Sequence, residues 1–432
     1  MTERSSFISN SLVFLFVFMH VSNISLYVQV QRIGLFQWHF WALGILAMLA
    51  ALLLSKRFLS VPKYSFPYLC WCLAYIGVCV LSLLLVNNDD TAYEGFVAYI
   101  WYFASSVVLV LYVRSVSEVK ACGYAIVIAV LLLSILTLME FTNPDFQVIV
   151  DAVAEDVNST GGINRAASLY TNQNVTGVAI VLGALIGQMF LPRTLRLLFL
   201  VFVGIAVFGT VSRSAITLWA LVVMSSFWFG FLSGNRIWVK LCGLFFIVGL
   251  GYLLLDGQIP TIIANMGFSE LLSPSMTDRL SENFFTQDDN SNEGRYYAAV
   301  EGWNIFVNNP VSGIGIGASE KLPVTGIATH NQHIEIAAEL GVLGWLTYAT
   351  IVLLALKANT KHALLFVFLI LVISFTAHWL LNFPVFGMYL AAALVFLPAL
   401  SKHRDKVNRH SKKKRRRKSK SRKEFTTGSY RM

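Results

Sequence analysis

Long runs of apolar residues recur along nearly the whole length of this 432-residue chain. A helix needs about 20 such residues to cross the hydrocarbon core of a bilayer, and many of the runs reach that length. Only 13% of the residues are charged and 56% are hydrophobic, a balance unlike that of a soluble domain. The pattern predicts an all-α membrane protein that crosses the bilayer many times.

The apolar runs predict about twelve transmembrane helices. They cover residues 8–30, 34–54, 66–86, 96–113, 121–139, 174–191, 197–211, 214–232, 238–255, 333–356, 363–381 and 383–400. The first run follows the segment MTERSSF and lacks a small-residue cleavage site. We therefore interpret it as a retained helix and not as a cleaved signal peptide.

Lys and Arg residues concentrate in one set of alternate loops, which predicts that these loops face the cytoplasm. The set comprises Lys56, Arg57, Lys63, Arg114, Lys120, Arg193, Arg196, Arg236, Lys240, Lys357 and Lys361. Residues 401–432 belong to the same side and carry fifteen Lys or Arg residues against two acidic ones. Both termini are therefore predicted to be cytoplasmic, and the basic tail is predicted to be disordered near anionic lipid. It does not indicate a nucleic-acid-binding surface.

The predicted organisation has four parts. Residues 1–255 contain helices one to nine, residues 256–332 form one long external loop, residues 333–400 contain helices ten to twelve, and residues 401–432 form the tail. A loop as long as the external one is usually functional or disordered. The five cysteines all lie in apolar runs, so neither a disulfide framework nor a zinc site is predicted.

The external loop contains a helix candidate and a glycine-rich stretch. The segment NEGRYYAAVEGWNIFVNNP is predicted to form a helix from Asn292 that stops before Pro310, with Arg295 in its first turn. Arg295 is either solvated or faces an anion. The following PVSGIGIGAS has no Lys-Ser/Thr pair and is not a phosphate-binding P-loop. We interpret it as a tight backbone turn that orients the next segment.

The segment ATHNQHIEIAAELGVLGW, residues 328–345, places two histidines and two glutamates at the mouth of an apolar helix. Thr329 and Gln332 fit a capping box, which predicts Thr329 as the N-cap and His330 as the first helical residue. The exposed N–H groups of such a helix start attract anions and disfavour imidazolium. A histidine kept neutral at pH 7 is suited to act as a general base.

The remaining polar residues of this segment have supporting roles in our interpretation. His330 and His333 share a helix face, but Glu335 and Glu339 point roughly to the opposite one. No H-E-x-x-H pattern is present, so neither a metal nor a cofactor is predicted. The two glutamates are predicted to face the bundle interior and to accept hydrogen bonds, since lipid exposure of a carboxylate is costly. Gly341 and Gly344 allow close helix packing.

Two further arginines lie at predicted external ends of helices. Arg213, in FGTVSRSAITLW, interrupts a nearly continuous apolar run. It is either a snorkelling side chain or an anion ligand, and we favour the ligand because guanidinium forks fit phosphate oxygens. Arg165, in GGINRAASLYTNQN, is a weaker candidate for the same anion. These residues together predict an external pocket for a lipid-anchored phosphate or pyrophosphate.

The ordered segments R…TNQN, SRSA, RYYAAVEGW…NNPVSGIGIG and HNQHIEIAAELGVLG resemble the O-antigen ligase and polymerase superfamily. The ligase motif is His-(Asn/Ser/Gln)-x9-Gly-x-x-Gly-(Gly/Thr/Tyr). Here it comprises His330, Asn331, nine residues, Gly341, two residues and Gly344, and Trp345 departs from it at the last position. The resemblance covers residues 160–345 by motif and the whole chain by topology.

The resemblance implies a bacterial inner-membrane glycosyltransferase with a GT-C-like fold and a periplasmic active site. The donor would be a glycan on undecaprenyl pyrophosphate, and a ligase would transfer it to a hydroxyl of a lipid A–core sugar without a metal. A polymerase would use another lipid-linked repeat as the acceptor. His330 would take the acceptor proton, and Arg213 and Arg295, with help from Arg165, would neutralise the pyrophosphate. His333, Asn331, Glu335, Gly341 and Gly344 would support this site.

A twelve-span transporter or flippase is the alternative from a different functional class. Such a protein would show two related halves and broken polar helices near the middle of the membrane. The charged residues of this chain gather instead at one predicted face, which favours the enzyme.

Overall fold

The computed structural model consists of helices and their connecting turns throughout the residues it describes, which confirms the all-α prediction. The described residues are 3–24, 40–55, 57, 61–86, 90–143, 146, 148, 166–170, 172–232, 290–319, 322, 324–326, 328–377 and 380–403. The helices are α1 (Glu3–Ser22), α2 (Phe40–Leu54), α3 (Phe66–Leu85), α4 (Asp90–Tyr112), α5 (Val116–Thr142), α6 (Gln173–Gly187), α7 (Arg193–Gly209), α8 (Arg213–Trp228), α9 (Asn290–Asn308), α10 (Gln332–Ala349), α11 (Ile351–Ala358), α12 (Lys361–Ile373) and α13 (Pro384–Ala391).

Six described helical stretches are long and apolar enough to cross a membrane, so the chain is a membrane protein. They are Phe66–Leu85, Ala92–Tyr112, Val116–Thr142, Gln173–Phe190, Gln332–Ala358 and Pro384–His403. Shorter apolar helices are Ser6–Ser22, Ala42–Leu54, Arg213–Trp228 and Lys361–Ile373. The count of about twelve spans and the long external loop stay predictions. The expected span at 238–255 lies outside the described residues.

Helices α6 and α13 form the centre of the bundle. Every α6 residue from Val175 to Gly187 is buried, and so is every residue of α13. Helices that are apolar on all sides suit this position because no side of them faces water. The helices meet at Gly183, where an added Cβ would lie 2.3 Å from Tyr389 Oη. Their close approach therefore requires the small residue.

The bundle has two distinct ends. Helix α7 has 17 residues and is therefore about 25 Å long, with Arg193 at its start and Arg213 just beyond its end. Arg193, Phe231 and Lys361 surround one cavity, and we call their end of the bundle the basic end. We call the opposite end, which holds Arg213, the site end.

Helix α12 also connects the two ends and brings the start of α10 to the site end. It begins at Lys361 and ends at Ile373. Just beyond it, the carbonyl groups of Ser374 and Ala377 accept the Gln332 N–H at 2.8 and 2.7 Å. His330, two residues before Gln332, therefore lies at the same end of the bundle as Arg213.

A polar cluster around Glu118 joins helices at the basic end. The Ser115 side chain and Glu118 form a capping box at the start of α5. The Glu118 carboxylate also accepts Arg57 Nη1 at 2.7 Å and the Arg114 N–H at 2.7 Å. Removing one partner of such a buried pair is strongly destabilising, since the other charge is left uncompensated. The assignment of this end to the cytoplasm stays a prediction.

Candidate functional site

The turn between α7 and α8 fixes the position of Arg213. Val211 in this turn has φ +51° and is only 1% exposed. The left-handed region costs a residue with a Cβ roughly 1–2 kcal/mol, and a β-branched residue is rarely found there. Ser212 is the N-cap of α8, and Arg213 is its first residue. Such strain persists only where surrounding contacts enforce it, and it is concentrated at functional sites.

The start of α6 supplies those contacts. Asn172 caps α6 by accepting the N–H groups of Asn174 and Val175. The Ser212 hydroxyl donates to the Asn174 side-chain oxygen at 2.8 Å. Gly177 allows the two helices to approach, since a Cβ there would lie 2.5 Å from the Ala215 Cβ. The TNQN and SRSA segments therefore form one structural unit around Arg213.

Glu140, at the end of α5, anchors the segment that precedes α6. Its carboxylate accepts the N–H groups of Val148 at 2.9 Å, Ala167 at 2.9 Å and Ser168 at 2.6 Å. Bonds from N–H groups to an ionised carboxylate are about twice as strong as neutral ones. Arg165 lies outside the described residues, so its role stays a prediction.

The start of α10 differs from the predicted capping box. Asn331, not Thr329, is the N-cap, and its side chain accepts the N–H groups of His333 and Ile334. The Gln332 side chain does not take part in a capping box. It accepts the Leu380 N–H at 2.9 Å and donates to Glu335 at 3.1 Å. The predicted position of His330 as the first helical residue is therefore wrong.

His330 instead precedes the cap and adopts φ +50°. Its side chain is half-buried. Burial, and secondarily the positive charge of Arg295, lower the pKa of His330 from 6.5 to about 4. The imidazole is therefore neutral at pH 7, as a general base requires. The physical cause is desolvation and a nearby cation, and not the helix start that the sequence suggested.

Arg295 reaches His330 because α9 packs against α10. The predicted helix at Asn292 is present and begins two residues earlier, at Asn290. Gly302 lies at the contact, where a Cβ would come within 2.7 Å of both Thr329 and Ile334. Arg295 itself is exposed, so it is accessible to a ligand at the site end.

The low pKa of His330 predicts the pH dependence of any reaction that needs its neutral form. The acid limb of kcat/KM should lie near pH 4 and not near 6.5. Arg295→Gln should move this acid limb to higher pH, because the positive charge of Arg295 no longer lowers the pKa of His330. A transfer assay from pH 3.5 to 8 measures this. An acid limb near 6.5 in the unaltered protein would contradict the assignment.

The same pKa has a consequence for stability. The unfolded chain binds a proton at His330 near pH 6.5, whereas the folded chain binds it only near pH 4. Protonation therefore favours the unfolded state. The contribution of His330 is fully present above 6.5 and is lost progressively as the pH falls towards 4.

His333 is half-buried and packs against the end of α12. Its ring packs against Phe375 at a centroid distance of 4.7 Å and against Tyr348 at 5.7 Å. Nε2 lies 3.4 Å from the Leu371 carbonyl oxygen. These contacts fit the supporting role predicted for His333, since they hold the first turn of α10 against the end of α12.

The two glutamates of α10 are buried and hydrogen-bonded, which confirms their predicted environment. Glu335 is 3% exposed and Glu339 is 1% exposed. Glu339 accepts the Ser319 hydroxyl at 2.7 Å and the Ser319 N–H at 3.2 Å. It therefore fastens the end of the glycine-rich loop to α10.

The glycine-rich loop inserts into a break in α10. Gly341 has φ +64° and ψ −161° inside the helix, so the helical hydrogen bonds across it are lost. The carbonyls of Ala338 and Glu339 accept the N–H groups of Ile314 and Gly315 instead, at 2.8 and 3.1 Å.

The loop also accepts a hydrogen bond from the backbone N–H group that follows the break. The Val342 N–H donates to the Pro310 carbonyl at 2.8 Å. A Cβ on Gly341 would lie 2.2 Å from the Val311 carbonyl oxygen. Gly341 was predicted to allow close helix packing, but its contact is with this loop. Gly313, Gly315 and Gly317 all have positive φ, which fits the predicted tight turn.

The structure thus collects Arg213, Arg295 and His330 at one end of the bundle, with Asn331 and Gly341 in the frame that holds them. Sequence reasoning missed Asn174, Ser212 and Glu140 as parts of that frame. The motifs TNQN and SRSA contained the signal for the first two residues, but their pairing across 38 positions was not predicted. A site with two cations and a neutral imidazole can bind an oxyanion and accept a proton.

The Asn174–Ser212 bond is expected to matter for function through the position of Arg213. Asn174→Ala and Ser212→Ala should each lower transfer several-fold, because a side-chain hydrogen bond contributes about 0.5–1.5 kcal/mol. The double variant should have the same transfer rate as the less active of the two single variants, because either substitution already removes the bond. The rate of the transfer reaction that the resemblance implies, at equal protein level, measures this, with the exposed Ser55→Ala at the basic end as the control. Fully additive losses would show that the two side chains act independently.

Comparison with known proteins identifies one family. Residues 198–349 match the family model described as O-antigen ligase. This segment, about a third of the chain, contains Arg213, Arg295, His330, Gly341 and Gly344. A search of the curated proteins gave no match.

Proposed function

We propose that this chain is an O-antigen ligase, which transfers a glycan from undecaprenyl pyrophosphate to a sugar hydroxyl of lipid A–core. The match of residues 198–349 to the O-antigen ligase family model supports this proposal. The family supports a membrane enzyme of the ligase or polymerase type that acts on lipid-linked glycans. The donor, the acceptor and the mechanism are our proposals.

The neutral, half-buried His330 beside Arg295 is the observation that carries the mechanism. A base that is unprotonated at pH 7 can accept a proton from a sugar hydroxyl in the transition state. The neighbouring arginines stabilise the negative charge that forms on the pyrophosphate leaving group. A proton acceptor and cations at the same end of the bundle suit the displacement of a pyrophosphate group by an alcohol.

The proposed reaction is a direct displacement. The acceptor hydroxyl oxygen forms a bond with the anomeric carbon while the bond between this carbon and the pyrophosphate oxygen breaks. The hydroxyl proton passes to His330, and the electron pair of the broken bond remains on undecaprenyl pyrophosphate. Attack from the opposite face inverts the anomeric configuration.

Arg213 and Arg295 stabilise the negative charge that develops on the pyrophosphate, and we propose that Arg165 assists them. Preorganised donors of this kind contribute about 3–4 kcal/mol each when they act on the transition state. The strained turn at Val211 and the Asn174–Ser212 bond support this role for Arg213, since they hold its backbone before substrate arrives. The mechanism assigns no step to a metal or a cofactor.

We propose that the protein lies in the bacterial inner membrane with both termini in the cytoplasm and the site end in the periplasm. The enrichment of Arg and Lys at the basic end supports this orientation. About twelve spans, a GT-C-like arrangement and a long periplasmic loop belong to the same proposal.

We propose a ligase and not a polymerase because of the spacing from His330–Asn331 to Gly341 and Gly344. The break at Gly341 lies where this motif places its first glycine, and the loop seated there connects α9 with α10. Trp345, where the ligase motif has Gly, Thr or Tyr, is 40% exposed at the bundle surface. Its departure from the motif therefore leaves the Gly341 contacts unchanged.

Deletion of the gene in its native strain should distinguish the two acceptors. Loss of a ligase should leave bare lipid A–core, with long glycans accumulating on undecaprenyl pyrophosphate. A lipopolysaccharide gel and extraction of the lipid-linked glycans measure both. Core that bears a single repeat would instead identify a polymerase, with the same roles for His330 and the arginines but a different acceptor.

A further inference from the structure

A cavity at the basic end has no part in the proposed reaction. Its volume is about 480 Å³, and its lining includes the cationic side chains of Arg193, Arg196 and Lys361 and the imidazole of His362. No acidic side chain contributes to the lining among the residues that the structure describes. The volume lies in the range of small-molecule sites, roughly 300–1,000 Å³.

Both side chains and helix N-termini bring positive charge to this cavity. Helices α7 and α12 begin at its rim with Arg193 and Lys361 as their first residues. The partial positive charges of two helix starts therefore add to those of the side chains. Because like charges at close range repel, a cluster of this kind is stabilised when an anion occupies it.

Arg196 places one of the positive charges of the cavity lining at a fixed position. Its side chain is only 9% exposed. Its Nε donates to the Leu191 carbonyl at 3.1 Å, and its Nη1 donates to the Phe231 carbonyl at 2.7 Å. The Phe231 ring in turn contacts His362 at a centroid distance of 4.3 Å. The guanidinium is thus held in place by the protein before any ligand binds, which lowers the entropic cost of recognition.

We propose that this cavity, the basic pocket, binds the phosphate of an anionic phospholipid head group. Guanidinium and ammonium groups recognise phosphate oxygens. Apolar side chains of Met189, Leu397 and Leu400 line the same cavity, which suits the part of a lipid that adjoins its head group. Basic pockets between transmembrane helices are common binding sites for acidic lipids.

A soluble phosphate would offer the same oxygens, but it would leave the apolar part of the lining uncovered. The chain's own tail is disfavoured as the occupant because residues 401–432 carry fifteen basic residues against two acidic ones. An acidic lipid satisfies both the charge and the apolar surface.

Native mass spectrometry of the full chain with phosphatidylglycerol or phosphatidylcholine tests the proposal. The unaltered protein should retain phosphatidylglycerol in preference to phosphatidylcholine. The double variant Arg193→Gln/Lys361→Gln should bind phosphatidylglycerol about 25-fold more weakly, since each basic residue contributes roughly fivefold at a membrane surface. Both residues are exposed, so the variant is expected to fold normally, which thermal unfolding verifies.

The matched control is Lys120→Gln/Lys357→Gln, which removes two exposed basic residues that do not line the cavity. It should leave phosphatidylglycerol binding unchanged. Equal loss in both double variants, or equal retention of the two lipids by the unaltered protein, would overturn the proposal. Displacement of phosphatidylglycerol by low-millimolar inorganic phosphate would assign the pocket to a soluble anion and overturn the lipid assignment.

Discussion

His330→Asn should insert into the membrane in normal amounts and lose glycan transfer by a factor of about 10²–10⁴, the usual contribution of a general base. Asparagine tolerates the left-handed backbone that His330 adopts at φ +50°, so the substitution removes the base with little change in strain. His330→Ala should lose transfer as well. The measurement is the rate of transfer in cells that contain equal amounts of each variant in the membrane.

His333→Phe is the matched control for this prediction. It preserves a ring against Phe375 and Tyr348 and gives up only the long contact to the Leu371 carbonyl at 3.4 Å. Its transfer rate should stay near that of the unaltered protein. Near-normal transfer by His330→Asn would remove His330 from the mechanism, whatever the control shows.

Gly341→Ala should destabilise the protein by about 3 kcal/mol or more and should abolish transfer together with folding of the site. The backbone of Gly341, at φ +64° and ψ −161°, occupies a region open essentially only to glycine. The added Cβ would also lie 2.2 Å from the Val311 carbonyl oxygen. The Pro310–Gly315 loop and the first half of α10 would therefore have to separate. Thermal unfolding in detergent and the transfer rate measure the two effects.

Substitutions at two other glycines allow the cost of the backbone conformation and the cost of the Cβ clash to be measured separately. Gly326 also has positive φ, at +68°, but a Cβ there would meet nothing within 4 Å. Gly326→Ala should therefore cost only about 1 kcal/mol. Gly77 lies within α3 with open space around it, so Gly77→Ala should be neutral or slightly stabilising. If Gly341→Ala were as stable as Gly77→Ala, the inserted loop would not be required for folding.

Patterns within a single helix were predictable from the sequence. The apolar runs indicated the six described stretches that can cross a membrane, and α9 begins at Asn290, two residues from its predicted start. Glu335 and Glu339 were predicted to be buried, and they are, because the cost of exposing carboxylates to lipid leaves few alternatives. Gly313 and Gly315 were predicted to form a tight turn, and both have positive φ.

Features that depend on distant contacts were not predictable in the same way. Thr329 and Gln332 satisfy a local capping pattern, but Gln332 instead bonds Leu380, 48 residues away, and Asn331 becomes the cap. The break at Gly341 is invisible to hydropathy because the residues on both sides of it continue the apolar run. It exists because the loop at Pro310–Gly315 replaces the lost helical bonds.

Glu140 illustrates the same limit. Its carboxylate was not singled out in the sequence, because its partners at Ala167 and Ser168 lie more than twenty residues further along the chain. The residues proposed for chemistry were chosen from the sequence, His330 and Arg213 because they are ionisable groups beside apolar runs and Arg295 because it lies in the first turn of a predicted helix. The residues that position them are ordinary polar side chains that only the fold brings together.

Reconstitution of the purified protein in liposomes with a labelled undecaprenyl-pyrophosphate glycan and lipid A–core tests the central claim most directly. The measurement is the amount of label on the acceptor and of undecaprenyl pyrophosphate released, with a metal chelator present throughout. We expect the unaltered protein to form equal amounts of both products and His330→Asn to form neither at a comparable rate. Movement of the labelled lipid across the bilayer without transfer to the acceptor would contradict the account and would identify a transporter.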